Sequence, residues 1–137
     1  MDQIYTHPKR KTKVVFVQLG SPSEPTTKAL RKYLRKFLGD PRVIDINPWL
    51  WKIILNFFVL PFRPKKSAKL YARIWDGKSF PLITNTRDFT NNVREELKKI
   101  DPNGHVEVNH AFLLSPPYVN EVYDSWEDDL KKGIGAT

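Results

Sequence analysis

An α/β fold with a largely parallel sheet flanked by helices is predicted by two patterns in the sequence. Residues 14–19, Val-Val-Phe-Val-Gln-Leu, form a β-branched apolar run that ends at Gly20, which is typical of a strand buried on both faces. A loop rich in Pro, Ser and Thr over residues 21–27 then leads into an amphipathic helical pattern. Strand, loop and helix in this order open a βαβ unit, in which the two strands run parallel.

The first helix is predicted by an apolar stripe with the helical repeat, and a second short strand is predicted after it. Basic residues occupy the rest of the helix surface, and Gly39 is suited to end the helix. The strand candidate is Arg42–Ile46. The stripe consists of Leu30, Tyr33, Leu34, Phe37 and Leu38.

The remaining elements alternate between helix and strand. Pro48 is suited to the first turn of a helix over 49–58, Pro61 and Pro64 are expected to break the chain, and Ser67 is expected to start a new short helix. A turn is predicted at 76–78, followed by a helix over 86–100 with one apolar face made of Phe89, Val93, Leu97 and Ile100. A strand is predicted over 105–113. Residues 115–117 open a last helix, whose inward-facing residues are Val119, Val122, Tyr123, Trp126 and Leu130.

The predicted organisation is a basic N-terminal tail over residues 1–13 followed by one α/β domain over 14–137. A further parallel strand is expected after the last helix, and the sequence shows none, so we expect a domain truncated before its final strand. The tail is followed by no apolar core with a small-residue cleavage site, so it does not predict a signal peptide. The most apolar run, residues 49–62, is shorter than the roughly 20 residues of a spanning helix.

Composition narrows the classes of function. The 137 residues carry a net charge of +8, which implies an anionic partner such as nucleic acid, a lipid surface or a ligand with carboxylates or phosphates. The absence of cysteine excludes disulfides, thiolate metal sites and a cysteine nucleophile. Nucleic acid is disfavoured, because no helix-turn-helix spacing, aromatic sheet motif or zinc pattern accompanies the charge.

Two segments are candidates for ligand binding. Gly20-Ser21-Pro22 follows the first strand, where ligands bind in open α/β sheets, although a plain turn has the same appearance. The loop lacks the three spaced glycines of a dinucleotide site. Residues 63–67 place three cations beside an aromatic segment, which suits an amphiphilic anion with a carboxylate edge or an anionic membrane surface. A solvated loop without a ligand has the same composition.

The three histidines form no recognisable catalytic or metal-binding set. His7 lies in the basic tail, His105 starts a strand, and His110 lies on the apolar side of that strand, where a core role is the common one. No His, Asp and Glu spacing typical of a metal site accompanies them. The sequence therefore predicts no catalytic residue and no metal ligand in this chain.

Four motifs in register give the chain a resemblance to the ferrochelatases over about residues 14–100. They are Leu19-Gly-Ser-Pro22, Phe37-Leu-Gly-Asp-Pro-Arg-Val43, Leu60 to Ala68 with Tyr71 and Ile74-Trp75, and Phe80-Pro-Leu82 followed by Thr86-Arg87. The resemblance implies two similar chelatase-type α/β domains with a porphyrin between them, of which this chain is the N-terminal one. It implies insertion of ferrous iron, a substrate, into protoporphyrin IX in haem biosynthesis, with no cofactor bound by this chain.

The resemblance also assigns expected roles to residues. Leu19, Gly20, Ser21 and Pro22 would line the porphyrin face, and Arg63, Tyr71 and Ser79 would hold the propionates. A hydrophobic lip, which in the family also touches the membrane, would consist of Trp49, Leu50, Ile53, Phe57 and Phe62. The implied location is the cytoplasm, with or without peripheral membrane contact.

Two departures from the family pattern shape the functional expectation. The family's catalytic histidine and its acidic partner lie in the C-terminal domain, so this chain alone is expected to be inactive. Phe112 and Leu113 stand where the family usually has a polar pair in the strand. The alternative is a tetrapyrrole-binding or membrane-surface module without catalysis, and a downstream coding region for a second domain would distinguish the two.

Overall fold

Two parallel strands and five α-helices make up the computed structural model, which describes the backbone of residues 11–134 and the side chains of residues 11–128. The predicted tail therefore lies almost entirely outside the described residues. The elements are β1 (Thr12–Gln18), α1 (Thr27–Leu38), α2 (Pro48–Ile54), a π turn (Leu55–Val59), α3 (Leu60–Ala72), α4 (Pro81–Ile100), β2 (Val106–Phe112) and α5 (Val119–Ile134).

The sheet is parallel, as the sequence predicts. β1 pairs with β2 from Thr12 opposite Val106 to Gln18 opposite Phe112, and all the intervening helices form the crossover. Helix α4 covers one face, where Phe89 meets Phe16 edge-on at 5.0 Å between ring centroids. Lys13 lies on the opposite face, because side chains alternate along a strand, and its ammonium group lies 5.4 Å from the Trp126 ring of α5. The described sheet is thus sandwiched between helices.

Helix α1 forms where its apolar stripe and its caps predict it. The hydroxyl of Thr26 accepts a hydrogen bond from the Ala29 N–H at 3.2 Å, and the N–H of Gly39 donates to the Arg35 carbonyl at 3.0 Å. Its buried Tyr33, Leu34 and Leu38 meet Leu55 and Leu60 in one apolar cluster. This cluster joins α1 to the helices that carry the predicted lip.

The predicted strand over Arg42–Ile46 is wrong. Asp40 accepts hydrogen bonds from the Arg42 backbone N–H at 2.9 Å and from its guanidinium at 2.7 and 3.0 Å, and the Val43 N–H donates to the Asp40 carbonyl at 2.9 Å. These bonds form a turn and hold the pKa of Asp40 at about 2. β1 has no described partner strand other than β2, so nothing draws the segment into the sheet.

The predicted chain break at Pro61 and Pro64 is also wrong. Residues 48–72 form one helical rod, made of α2, the π turn and α3, and Ser67 lies within it rather than starting a helix. Pro64 has no N–H to donate to the Leu60 carbonyl one turn earlier. The Arg31 Nε of α1 donates to that carbonyl instead, at 3.3 Å. A neighbouring helix therefore supplies the donor that proline removes.

The π turn decides which side chains the rod buries. The Leu60 N–H donates to the carbonyl of Leu55, five residues earlier. In a regular α-helix, residues five apart point about 140° away from each other. The wider turn brings Leu55 and Leu60 to the same face, where both are buried. Phe57 and Phe58 are left exposed on the outside.

The two later helices differ from the predictions in detail. Helix α4 begins at Pro81, not at residue 86, because Phe80 is extended and Pro81 opens the first turn. Thr86 and Thr90 form its buried part, whereas Ile100 and Phe89 of the predicted face are exposed. In α5, Tyr123 is exposed rather than inside, and the side chain of Leu130 lies outside the described residues.

Candidate functional site

The loop at the carboxyl end of β1 is held against the loop that follows β2. The Leu113 N–H donates to the Gln18 carbonyl and the Leu114 N–H to the Leu19 carbonyl, both at 3.0 Å. Leu19 is half-buried, whereas the next three residues of the predicted porphyrin face, Gly20 to Pro22, are buried. Among these four residues, Leu19 therefore offers the most surface to a ligand.

Gly20 is required at the centre of this loop for two reasons. Its φ of +94° lies in the left-handed region, which disfavours residues with a Cβ. A Cβ at this position would overlap the Ser115 Oγ and lie 3.2 Å from the Phe112 Cβ. The Ser115 Oγ also accepts a hydrogen bond from the Ser21 N–H at 3.3 Å. Ser115, which the sequence did not single out, thus positions the predicted porphyrin loop.

Two tyrosines connect this loop to the helical rod. The Tyr33 hydroxyl of α1 donates to the Gly20 carbonyl at 3.3 Å. Burial and, secondarily, the nearby Tyr71 raise the pKa of Tyr33 to about 12. The sequence pattern placed Tyr33 only on an apolar stripe. A hydroxyl on such a stripe is itself a signal, since a buried tyrosine needs a hydrogen-bond partner.

Tyr71 and Ser79 lie on either side of a buried aromatic ring. Tyr71 meets Phe80 edge-on at 5.3 Å between centroids, and Trp75 meets the same ring at 4.6 Å. Ser79 immediately precedes Phe80, and its N–H donates to the Asp76 carboxylate at 2.5 Å. That hydrogen bond is the main cause of the lowered pKa of Asp76. The structure therefore brings Tyr71 and Ser79 into one neighbourhood around Phe80.

All five residues assigned to the hydrophobic lip are exposed. Its largest rings, Trp49, Phe57 and Phe62, are 78%, 70% and 72% exposed. Phe58, which the prediction left out, is exposed to a similar extent. Trp51 points the other way, and its indole N–H donates to the Leu38 carbonyl at 2.6 Å. The lip therefore has no apolar cover within the described part of the chain.

The predicted site residues are spread along the whole rod. At about 1.5 Å of rise per residue, Trp49 and Tyr71 lie roughly 33 Å apart along the axis, and Arg63 and Tyr71 roughly 12 Å apart. The first distance is longer than a porphyrin macrocycle is wide, whereas the second is compatible with one ligand. Of these rod residues, Tyr71 is linked to the Gly20 loop, since Tyr33 contacts both.

The rod is strongly basic at this end. Residues 46–75 contain no Asp or Glu. Five exposed cations follow one another on α3 and just after it: Arg63, Lys65, Lys66, Lys69 and Arg73. An apolar surface edged by exposed cations suits a ligand with an apolar body and carboxylates at its rim.

Of the two described histidines, His110 packs edge-on against Phe112, with 5.7 Å between the ring centroids. Burial, with Arg94 and Arg87 as lesser causes, lowers the pKa of the half-buried His110, whose Nδ1 has no hydrogen-bond partner. The His105 Nδ1 lies 3.0 Å from the Asp101 carboxylate. Across residues 11–128 no three His, Asp or Glu side chains converge as a metal site. His7 lies outside the described residues.

The Phe112 and Leu113 pair occupies two different environments. Phe112 is fully buried, and its N–H donates to the Pro117 carbonyl at 2.8 Å. Leu113 is 55% exposed beside the Gln18 carbonyl. An apolar side chain thus stands at the carboxyl end of β2, where the resemblance leads one to expect a polar one.

Fold and site together define an α/β domain whose parallel strands end beside an apolar, cation-edged helical rod. The family model described as Ferrochelatase matches residues 11–134. The chain belongs to the ferrochelatase family.

Individual relatives agree with this assignment. The chain is 36% identical to the ferrochelatase of Idiomarina loihiensis over 88% of its own length and 32% of the relative. It is 41% identical to the coproporphyrin III ferrochelatase of Enterococcus faecalis over 85% of its length and 35% of the relative. A 66-residue stretch, 48% of the chain and 20% of the relative, is 62% identical to the ferrochelatase of Psychrobacter cryohalolentis. The chain spans about a third or less of these relatives. No helix among residues 11–134 has the length and apolarity needed to cross a membrane.

Proposed function

We propose that this chain supplies the porphyrin-binding N-terminal domain of an enzyme that inserts ferrous iron into protoporphyrin IX. In this proposal ferrous iron is a substrate, the chain binds no cofactor, and the base that removes the pyrrole protons belongs to a C-terminal domain. The supporting observation is the meeting of the Gly20 loop, Tyr33 and Tyr71 beside the basic α3, within a chain of the ferrochelatase family.

The residues at this end of the rod bind and orient the macrocycle. Arg63 donates charge-assisted hydrogen bonds to one propionate, and the Tyr71 hydroxyl donates to another about 12 Å along the rod. Leu19 contacts the macrocycle face, and the Ser79 side chain lies at the same edge. The Ser115 and Tyr33 contacts hold the loop in place, so the site requires little rearrangement before binding.

Porphyrin titration of substituted chains tests the binding role. Arg63→Ala and Tyr71→Phe are expected to weaken binding of the free acid roughly five- to thirtyfold, because each removes a hydrogen bond worth about 1–2 kcal/mol to a charged group. Tryptophan quenching measures the affinity. The esterified porphyrin, which lacks carboxylates, should bind all variants alike. Lys98→Ala, which removes an exposed cation from α4, is the matched control.

If Arg63→Ala binds the free acid as tightly as wild type, the assignment of Arg63 is wrong. If Lys98→Ala loses as much affinity as Arg63→Ala, the loss reflects net charge rather than a specific contact. Protoporphyrin IX and coproporphyrin III are titrated side by side, since one relative is named for the second. Tighter binding of coproporphyrin III would overturn the choice of protoporphyrin IX.

The 137-residue chain alone is expected to insert no metal, because the proposed base lies outside it. General bases contribute about 10²–10⁴-fold to such proton transfers. Fluorimetric measurement of zinc insertion checks this, and turnover comparable to that of an intact ferrochelatase would refute it.

A second candidate function rests on the exposed lip. We propose that Trp49, Phe57 and Phe62 enter the interface of an anionic membrane while the protein stays peripheral on the cytoplasmic side. Exposed apolar patches of this kind mark interaction sites, and the neighbouring cations suit anionic head groups. A module that binds tetrapyrrole or membrane without catalysis would share this surface.

A further inference from the structure

An open concavity of about 550 Å³ lies between the end of α1, the segment over residues 40–47 and the start of the rod. None of its lining residues belongs to the porphyrin face, the propionate set or the lip. Its volume falls within the range of about 300–1,000 Å³ found for small-molecule sites. The lining residues are Arg35, Gly39, Pro41, Ile44, Ile46, Pro48, Lys52, Leu55 and Asn56.

Hydrogen bonds hold the walls of this concavity in place. The Trp51 indole N–H ties α2 to the Leu38 carbonyl at the end of α1. The Asn47 side chain caps α2 by accepting from the N–H groups of residues 49 and 50 at 3.0 and 3.4 Å. The turn that Asp40 closes fixes the third wall. Leu55 is buried at the base, so the shape rests on the same apolar cluster that supports the rod.

The chemistry of the lining points to an amphiphilic anion. Arg35 and Lys52 are its only ionisable residues, and both are exposed. Two acids adjoin lining residues in the sequence: Asp40 is engaged by Arg42, and Asp45, between Ile44 and Ile46, is exposed and is not part of the lining. The Asn56 side-chain amide already donates to the Lys52 carbonyl at 2.8 Å. The rest of the lining is apolar.

We propose that this concavity binds the carboxylate form of a medium-chain fatty acid, with the aliphatic chain against Ile44, Ile46 and Leu55 and the carboxylate between Arg35 and Lys52. Charge complementarity favours this occupant, because two cations without a lining acid attract a single anionic head group. An aliphatic chain fits an irregular wall of isoleucine, leucine and proline that offers no flat aromatic surface.

Isothermal titration with decanoate, kept below its micellar concentration, tests the proposal. One decanoate is expected to bind per chain, and methyl decanoate at least about tenfold more weakly, because the ester carries no charge. Arg35→Gln with Lys52→Gln should lower the affinity at least about tenfold. The matched control is Lys28→Gln with Lys32→Gln, which removes two exposed cations of α1 outside the concavity. Ile46→Asp, at an exposed position, should abolish binding by placing a carboxylate in the wall.

The proposal is overturned by no decanoate binding, by equal binding of acid and ester, or by equal binding by wild type and Arg35→Gln/Lys52→Gln. Porphyrin affinity is measured on the same variants. It should stay unchanged, so failure of the fatty-acid site and failure of the porphyrin site remain distinguishable. Decanoate binding that porphyrin displaces competitively would also overturn the proposal, because both ligands would then share one site.

Discussion

Gly20 and Gly77 share a backbone conformation but not an environment. Both have a φ of +94°. A Cβ at Gly20 would overlap the Ser115 hydroxyl, whereas a Cβ at Gly77 would meet nothing within 4 Å. Substituting each glycine by alanine therefore separates two destabilising effects: the left-handed backbone, which both share, and the steric overlap with Ser115, which occurs only at Gly20.

Gly20→Ala is expected to destabilise the fold more than Gly77→Ala. The left-handed conformation alone costs about 1–2 kcal/mol in Gly77→Ala, and Gly20→Ala adds the displacement of Ser115 from the Ser21 N–H, for a total of roughly 2–4 kcal/mol. Urea denaturation measures both. Equal losses in the two variants would show that the packing between the two loops contributes little.

At the scale of elements, one side chain of α1 compensates for a proline in the rod, in addition to the apolar cluster that joins the two. Arg31 donates to the Leu60 carbonyl that Pro64 leaves without its usual partner. Leu60 is 2% exposed, so the carbonyl lies in a region where an unmade hydrogen bond is costly. The proline and the arginine therefore act as a pair, although they lie on different helices.

A double-mutant cycle tests this pairing. Arg31→Met should cost about 1–3 kcal/mol in the wild-type background, because it leaves the Leu60 carbonyl unpaired. The cost should fall below about 0.5 kcal/mol in the Pro64→Ala background, where the introduced alanine has a backbone N–H that can donate to that carbonyl. Lys32→Met, a neighbouring exposed cation, is the control. Equal costs of Arg31→Met in both backgrounds, measured by urea denaturation, would show that the two residues are not coupled.

The same pair shows how far local sequence patterns carry at this scale. The apolar stripe of α1 and the parallel strand pair could be predicted, because their signals lie within one element. The continuity of the rod could not, because the donor that compensates Pro64 lies on another helix, far away in the chain. The strand over Arg42–Ile46 failed for a similar reason. Its apolar residues fit a strand pattern, but the hydrogen bonds between Asp40 and Arg42 hold the segment in a turn.

The candidate site shows the same difference between signals within one segment and contacts between distant segments. Motif resemblance assigned expected roles to the Gly20 loop and Tyr71, since those residues lie within recognisable segments. It missed Ser115 and Tyr33, which act through contacts to the backbone of the Gly20 loop from distant parts of the sequence. It assigned the lip and the propionate set separately, and the two adjoin on the rod where Phe62 precedes Arg63.

At the scale of the whole molecule, charge is divided unevenly along the chain. Residues 27–75 carry twelve Lys and Arg against two Asp, a net charge of +10. Residues 76–137 carry seven against eleven acids, a net charge of −4. The lip lies within the positive part, so the part of the chain that carries it is suited to an anionic surface, whereas the later part is repelled by one.

Charge reversal in the two parts should affect membrane binding unequally. Lys65→Glu with Lys66→Glu is expected to weaken binding to anionic liposomes more than about tenfold, since each basic residue near the surface contributes about 1 kcal/mol. Lys98→Glu with Lys99→Glu changes the net charge equally on α4, where both lysines already pair with Glu95 and Glu96. That variant should bind like wild type.

Liposome flotation at two salt concentrations measures both variants, and added salt should weaken wild-type binding. Equal losses in the two variants would mean that net charge rather than the basic rod governs attraction to the membrane.

The π turn has a consequence at the level of the gene. A turn closed by an i to i+5 hydrogen bond holds one residue more than the α-helical turn it replaces, which corresponds to a single inserted codon. Relatives whose corresponding helix is α throughout should align with this chain only through a one-residue gap between Leu55 and Leu60. The turn also carries the exposed Phe57 and Phe58. A one-residue insertion at this point therefore turns Phe57 and Phe58 toward solvent while Leu55 and Leu60 stay buried.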